Sequence, residues 1–398
     1  MDLFFLRALV RGKLMTTNHF EQLLEQTREN AQRYRRVEKT DKLKEDKELE
    51  KIVSQPDFQA KKKELQGIVY EQTPEAKALE QFHALTKDKY VRKFIEDGSN
   101  AGRSSVQRYL ELKAQTETQE FHNRVAFLAN AHRWDTTEEG KIDARFLELQ
   151  EDPDIHFFLN ANVQSIERYE QFGLTFEDNF EWSGLKNSAW KAGWLYPNDK
   201  FVAVHSYTNE RQAFNYGRNV ETIDGKLYIR TRKEEIEQPA WDATKGMVQK
   251  KFEYTSDAIS LDNYPIREGS VIQVKCRCRG ALNHGIYLRS KKHIPFISLF
   301  DYTGFDLFCG VKDSLKHDRH LKKLDGLQPI AYTVFTVSWQ KDEIVWFVNN
   351  LEVYRTKNLI PAGEELFMSM YSFQFEKSRH MSEGSLEVDW VRIYNLKK

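Results

Sequence analysis

The sequence predicts a chain in two parts of different class, an all-α region followed by an all-β sandwich. Three observations lead there. From Thr17 to about Tyr169 the chain is rich in Glu, Lys, Gln, Leu and Ala and sparse in proline, the composition of a good helix former. Near Leu174 charge density falls, Trp and Tyr appear, and apolar residues take up period-two spacing. Within the first part the sequence also matches itself at a nearly fixed shift, as a repeated structural unit would.

In the helical part, Leu23, Leu24, Leu43, Leu49, Ile52 and Val53 recur at helical spacing among charges whose sign alternates, as over Lys42–Lys51. Asp57-Phe-Gln-Ala with Leu65 matches Glu120-Phe-His-Asn with Leu128, and Thr73-Pro-Glu-Ala-Lys77 matches Thr137-Glu-Glu-Gly-Lys141. Phe82-His-Ala-Leu85 matches Phe146-Leu-Glu-Leu149, and Asp88 with Phe94 matches Asp152 with Phe158. The shift is 63 residues at Asp57/Glu120 and 64 at Thr73/Thr137. Thr73 and Thr137 read as helix N-caps. An Arg-Tyr element recurs at Tyr34, Tyr109 and Tyr169. The expected organisation is a segment 1–16, a helical repeat region 17–170 with units at about 41–97 and 104–160, and a β-sandwich over 171–398. Two roles stay open for the repeats: docking a protein partner, or packing only on themselves or on the sandwich.

Composition narrows the function. The 398 residues hold 60 basic and 60 acidic side chains, so nothing in the net charge suggests a nucleic-acid binder. Aromatics reach 13% and crowd into the second half. Cys276, Cys278 and Cys309 lack zinc-like partners, and the first two sit too close in sequence for an easy disulfide; buried free thiols are expected. At the N-terminus, Asp2 precedes the apolar run, Arg7 and Arg11 interrupt it, and Met15 offers a second start. Without a convincing export signal or a stretch of membrane-spanning length, the expectation is a cytoplasmic protein with no membrane span.

In the β part, Leu227-Tyr-Ile-Arg-Thr-Arg and Val271-Ile-Gln-Val-Lys-Cys-Arg-Cys alternate cleanly, and Asp224-Gly225 marks a hairpin turn before the first. Thr333-Val-Phe-Thr-Val-Ser-Trp and Glu343-Ile-Val-Trp-Phe-Val, joined by Gln340-Lys-Asp, form a second hairpin. The stretch Ile294–Gly304 reads as a buried strand leaving a loop. Alternation puts Phe296 and Ser298 on one face, and a bulge after Ser298 would bring Asp301 to that face too.

This stretch resembles the active-site strand of glycoside hydrolase family 16, the laminarinase-like β-glucanases, whose pattern is Pro-Glu-x-Asp-x-x-Glu. The resemblance runs through the β part in order. Leu174-Thr-Phe-Glu-Asp-Asn-Phe180 is similar to the opening strand, with Trp190 and Trp194 after it. Tyr207-Thr-Asn, Asn219-Val and Asp224-Gly-Lys-Leu-Tyr-Ile229 resemble the next block. Tyr254-Thr-Ser, Glu268-Gly-Ser-Val-Ile-Gln-Val-Lys275 and Gly285-Ile-Tyr-Leu288 follow in register. Phe335-Thr-Val-Ser-Trp-Gln and Leu386-Glu-Val-Asp-Trp-Val-Arg-Ile-Tyr394 are similar to the closing strands. The fold implied is a concanavalin A-like jelly roll with a concave, glycan-binding face.

The resemblance also implies lost chemistry. Phe296 stands where the nucleophilic Glu belongs, Ser298 where the middle Asp belongs, and Asp301 where the acid/base Glu belongs. Retaining hydrolysis needs two carboxylates about 5 Å apart, and Asp301 alone is a residual acid. The leading expectation is a non-catalytic relative that binds a polysaccharide or oligosaccharide through Trp190, Trp194, Asn219, Trp241 and Tyr302. The alternatives are an active hydrolase with a relocated base (Glu268, Asp306 or Asp313) and a scaffold acting through the helical repeats. No cofactor is expected beyond a structural calcium at Asp389 with Glu177 or Asp178.

Overall fold

The computed structural model describes residues 13–193, 206–292, 294–313, 321–373 and 382–397, which fall into two compact units. One is Asn30–Val163; the other joins the residues up to Glu29 to those from Gln164 onward. Ten α-helices occur among the described residues. They are α1 (Thr17–Glu38), α2 (Asp41–Val53), α3 (Pro56–Gly67), α4 (Pro74–Leu85), α5 (Lys89–Asp97), α6 (Ser104–Thr116), α7 (Gln119–Ala129), α8 (Glu138–Gln150), α9 (Pro153–Asn160) and α10 (Val163–Glu170). Single 3₁₀ turns at Tyr70–Gln72 and Trp134–Thr136 lead into α4 and α8.

Local chemistry sets the helix starts. Thr40, Thr73, Thr118 and Thr137 each accept a backbone N–H three residues on, and Asp88 and Asp152 accept two each. The caps expected at Thr73 and Thr137 are present, at 3.2 Å from Ala76 N and 2.9 Å from Gly140 N. Pro56, Pro74 and Pro153 open helices where the missing N–H has no intrahelical partner to lose.

The order helix, helix, 3₁₀ turn, helix, helix occurs over 41–97 and again over 104–160. The two stretches cross-pack. Val53 and Phe58 from the first close around Trp134, with Ile142 and Phe146 from the second. Leu112 and Phe121 from the second close around Ala78, with Phe82 and Leu85 from the first. Each small core therefore borrows its third helix, and neither stretch buries its apolar faces alone. Buried Arg133 ties the ends together, donating to the Leu65, Ile68 and Leu128 carbonyls at 2.8, 3.0 and 2.7 Å. These carbonyls lie at the C-terminal ends of α3 and α7, where helices leave acceptors unsatisfied and favour a cation.

The other unit is a two-sheet sandwich. In chain order its strands are β1 (Phe172–Asp178), β2 (Lys191–Ala192), β3 (Ser206–Tyr207), β4 (Gln212–Phe214), β5 (Val220–Ile223) and β6 (Lys226–Asp242). Then come β7 (Gly246–Ser256), β8 (Ala258–Ser260), β9 (Ser270–Arg279), β10 (Asn283–Arg289), β11 (Phe296–Tyr302) and β12 (Leu307–Lys312). The last are β13 (Leu321–Lys323), β14 (Thr333–Trp339), β15 (Glu343–Val348), β16 (Leu351–Lys357), β17 (Phe367–Phe373) and β18 (Gly384–Leu396). The larger sheet runs β16-β15-β14-β9-β18-β6-β7-β4, with β1 beside β18 and with β3 and β5 beside β6. The smaller runs β13-β12-β11-β10-β17-β8-β2. Ile272, Val274, Val391 and Ile393 from the larger sheet meet Ile286, Leu288, Ile297, Met368 and Met370 from the smaller in one core.

This is the jelly-roll class expected from the sequence. Asp224 and Gly225 both take positive φ (50° and 66°) in the β5–β6 turn, as a two-residue hairpin requires. The three cysteines are buried and free. Phe20 of α1 packs with Val334 and Trp390, while Glu21 takes the Lys275 ammonium at 2.9 Å and the Trp390 indole N–H at 3.1 Å. Among the described residues no helix is long and apolar enough to cross a membrane.

Candidate functional site

The site is built on an irregularity in β11. Against β10, Tyr287 pairs with Ser298 but Ile286 with Phe300; against β12, Gly310 pairs with Ser298 but Phe308 with Asp301. One extra residue is held between Ser298 and Asp301, which is a β-bulge. Leu299 and Phe300 consequently both enter the core, as do Ile297 and Tyr302. Phe296, Ser298 and Asp301 are left on the outer face of the smaller sheet, the placement expected from the sequence.

That face is aromatic. The Phe296 and Tyr287 rings meet edge-on at 5.3 Å, Tyr287 and Tyr371 stack at 5.7 Å, and Tyr371 and Phe373 stack at 4.9 Å. Phe214 and Ala258 join the cluster. Gly285 sits between Asp301 and Tyr371 in one cross-strand row. A Cβ there would lie 2.5 Å from Tyr371 Cε1, so the ring crosses the sheet only because this residue is glycine. The Tyr371 hydroxyl thereby donates to Asp301 Oδ1 at 2.8 Å, with the Tyr287 hydroxyl 3.2 Å behind it.

Burial raises the Asp301 carboxyl above its ordinary value; hydrogen bonds from Tyr287 and Tyr371 and the Arg289 charge oppose this without cancelling it. Asp301 is thus a weak acid suited to donating a proton or holding a ligand hydroxyl. No second carboxylate shares its face on β10, β11, β12 or β17, where the register places Asn, Gly, Tyr and Arg, then Phe and Ser, then Phe, Gly and Lys, then Phe, Ser, Tyr and Phe. Phe296 is half-buried against Tyr287. Ser298 Oγ is buried without a hydrogen-bond partner among the described residues, and its carbonyl accepts the Trp346 indole N–H at 2.7 Å. The outside bases fare no better. Glu268 accepts from Asn358 just ahead of β9, in the larger sheet, Asp306 pairs with Lys323 at 3.0 Å, and Asp313 follows β12.

The other expected site residues scatter. Trp190 is in the core, its indole donating to Asp178 at 2.7 Å. Tyr302, expected as a stacking platform, points inward because the bulge reverses the alternation, and its hydroxyl donates to the Gly304 carbonyl at 2.7 Å. Asn219 is fully buried, bonded to Asn215, Thr255 and the Arg230 carbonyl, with its own N–H on Asp257. Trp241 is 42% exposed near the tip of the β6–β7 hairpin, beside Tyr207 and Met247. Trp194 lies outside the described residues.

The calcium expected at Asp389, Glu177 and Asp178 does not find a site there. Asp389 faces Lys275 at 2.7 Å, Glu177 pairs with Arg392 at 2.8 Å, and Asp178 accepts two indole N–H groups. Among the described residues no cluster of three or more metal-ligating side chains exists.

Sequence reasoning missed Gly285 and Tyr287 as site residues, along with Tyr371 and Phe373. The signal was there: in Gly285-Ile-Tyr-Leu288 and in Phe367–Tyr371, small or aromatic residues alternate with Ile286, Leu288, Met368 and Met370 and share one face.

No family model matches the chain, and no curated protein does. Solved structures do resemble it. An endo-β-1,3-glucanase from Pyrococcus furiosus is 14% identical, over 57% of this chain and 95% of that one, with a TM-score of 0.45. The laminarinase catalytic domain from Thermotoga maritima is 11% identical, over 57% and 100%, at 0.44. SCLam, a non-specific endo-β-1,3(4)-glucanase from family GH16, is 17% identical, over 57% and 92%, at 0.46. At such values no residue role, activity or substrate passes from those proteins to this chain. The β unit is a two-sheet jelly roll by its own strand order.

Proposed function

We propose that the outer face of the smaller sheet binds a β-linked glycan and does not hydrolyse it by double displacement. The observation that carries this reading is the content of the face: among the described residues of β10, β11, β12 and β17, one carboxylate, Asp301, beside four aromatic rings, with Phe296 and Phe373 half-buried at the ends and Tyr287 and Tyr371 buried between them. Aromatic faces take the apolar faces of sugar rings, and a few fixed polar groups orient them. Asp301, held in place by Tyr371, supplies a hydroxyl-binding group. Phe296, which the sequence resemblance sets in the nucleophile's place, could form no glycosyl-enzyme bond, because a phenyl ring offers no lone pair to the anomeric carbon.

Isothermal titration of the full chain with laminarin, mixed-linkage β-glucan and galactan oligosaccharides tests the reading. Binding that weakens at least about tenfold in Tyr287→Ala is the expected result. No binding to any of the three, or binding indifferent to Tyr287→Ala and Phe373→Ala, would overturn it.

A further inference from the structure

The larger sheet carries a cavity of about 310 Å³ on a different surface of the same unit. β1, β9 and β18 form its floor, and residues of α1 and α10 form its wall. Part of the lining is apolar: Leu24, Phe172, Leu174 and Val271. The rest is polar: Glu25, Arg28, Tyr169, Glu177, Gln273, Arg392 and Tyr394. Burial raises the Tyr394 phenol, and Arg392, Tyr169, Glu177 and Arg28 all lie near enough to act on its charge.

The charges balance. Arg392 pairs with Glu177 at 2.8 Å, and Arg28 with Glu25 at 3.7 Å. Gln273 adds a buried amide whose nitrogen reaches Thr336 Oγ1 only at 3.4 Å, the long end of a hydrogen bond. The recurring Arg-Tyr element gives the same contrast from the sequence side. Tyr34 stacks on Phe158 at 4.4 Å and Tyr109 on Phe82 at 5.5 Å, so both serve the helical unit. Tyr169, the third, lines this cavity.

We propose that this cavity is a second carbohydrate site, taking a neutral sugar of one or two rings. Its volume is at the small end for ligand sites. An anion or a cation would meet two internally cancelled ion pairs and gain little. A wholly apolar ligand would strand the guanidinium, carboxylate and amide groups without water, at a cost for each. A pyranose has an apolar face for Leu24, Phe172 and Val271, and hydroxyls that both donate and accept for Gln273, Tyr169, Tyr394 and the Arg392–Glu177 pair. The proposal stands apart from the reading of the Asp301 face.

The test uses the full chain titrated with laminaribiose, cellobiose, maltose and N,N′-diacetylchitobiose. Leu174→Trp fills the cavity from a position that is 48% exposed, so folding tolerates it; Gln273→Ala removes a polar contact instead. At least one disaccharide should bind, and lose about tenfold or more in affinity in each variant. If none binds, if neither variant changes the titration, or if Asp301→Asn alone abolishes it, the second site does not exist. Self-association lost in Leu174→Trp, without sugar binding, would make the surface an interface between copies and overturn the proposal equally.

Discussion

Gly285→Ala should dislodge Tyr371 from Asp301 and destabilise the sandwich by about 2.5–6 kcal/mol. The new Cβ would lie 2.5 Å from Tyr371 Cε1 and 2.7 Å from both Cζ and the hydroxyl oxygen. Carbon atoms settle near 3.5–4 Å, so the ring must retreat by roughly an ångström. The 2.8 Å hydrogen bond to Asp301 Oδ1 cannot survive that movement. Overpacking a filled site costs about 1–3 kcal/mol, and losing a hydrogen bond to a buried carboxylate about 1.5–3 kcal/mol. Tyr371→Phe separates the two, since it removes the hydrogen bond without adding volume; it should cost only the second amount. Urea unfolding of the full chain followed by tryptophan fluorescence measures both. A Gly285→Ala effect below about 0.5 kcal/mol, within the range of ordinary surface changes, would refute the placement of Tyr371. So would a Tyr371→Phe effect equal to that of Gly285→Ala, because the steric part would then be missing.

His284 is fully buried, its ring stacks on Tyr302, and burial pushes its pKa down to about 3. Between that value and the unfolded 6.5 the unfolded chain binds the extra proton, so stability falls as pH drops below 6.5, by about 2 kcal/mol at pH 5. Denaturant titrations at pH 7 and 5 should show this loss in wild type and not in His284→Gln; parallel pH dependence in the two would contradict it. Arg133→Met leaves three helix-end carbonyls without their buried donor. It should cost the helical unit about 3 kcal/mol, read as an earlier far-ultraviolet circular dichroism transition, and an unmoved transition would count against the role given to Arg133.

The bulge was legible because Ser298-Leu-Phe-Asp301 breaks period two: two apolar residues stand between two polar ones, and only one extra residue restores a common face. Helix starts were legible at Thr73 and Thr137, where capping is a matter of adjacent residues. Cross-packing of the helical stretches was not, since nothing local to Phe58 says that its partner is Trp134 rather than the Tyr70 at the corresponding place in its own stretch. Platform residues failed for a similar reason. Trp190 and Tyr302 look like any exposed aromatic until their polar atoms find Asp178 and the Gly304 carbonyl inside the fold. The acidic trio suggested for calcium met cations and indole N–H groups that lie far off in sequence, as Glu177 meets Arg392.

Reducing-end release from laminarin by the full chain, wild type beside Asp301→Asn, tests most directly the claim that a single carboxylate on an aromatic face binds without double displacement. The account predicts no release from either protein under conditions where titration detects binding to wild type. Release by wild type that Asp301→Asn abolishes would contradict it, and would mean that Asp301 works with a second catalytic group from another part of the chain.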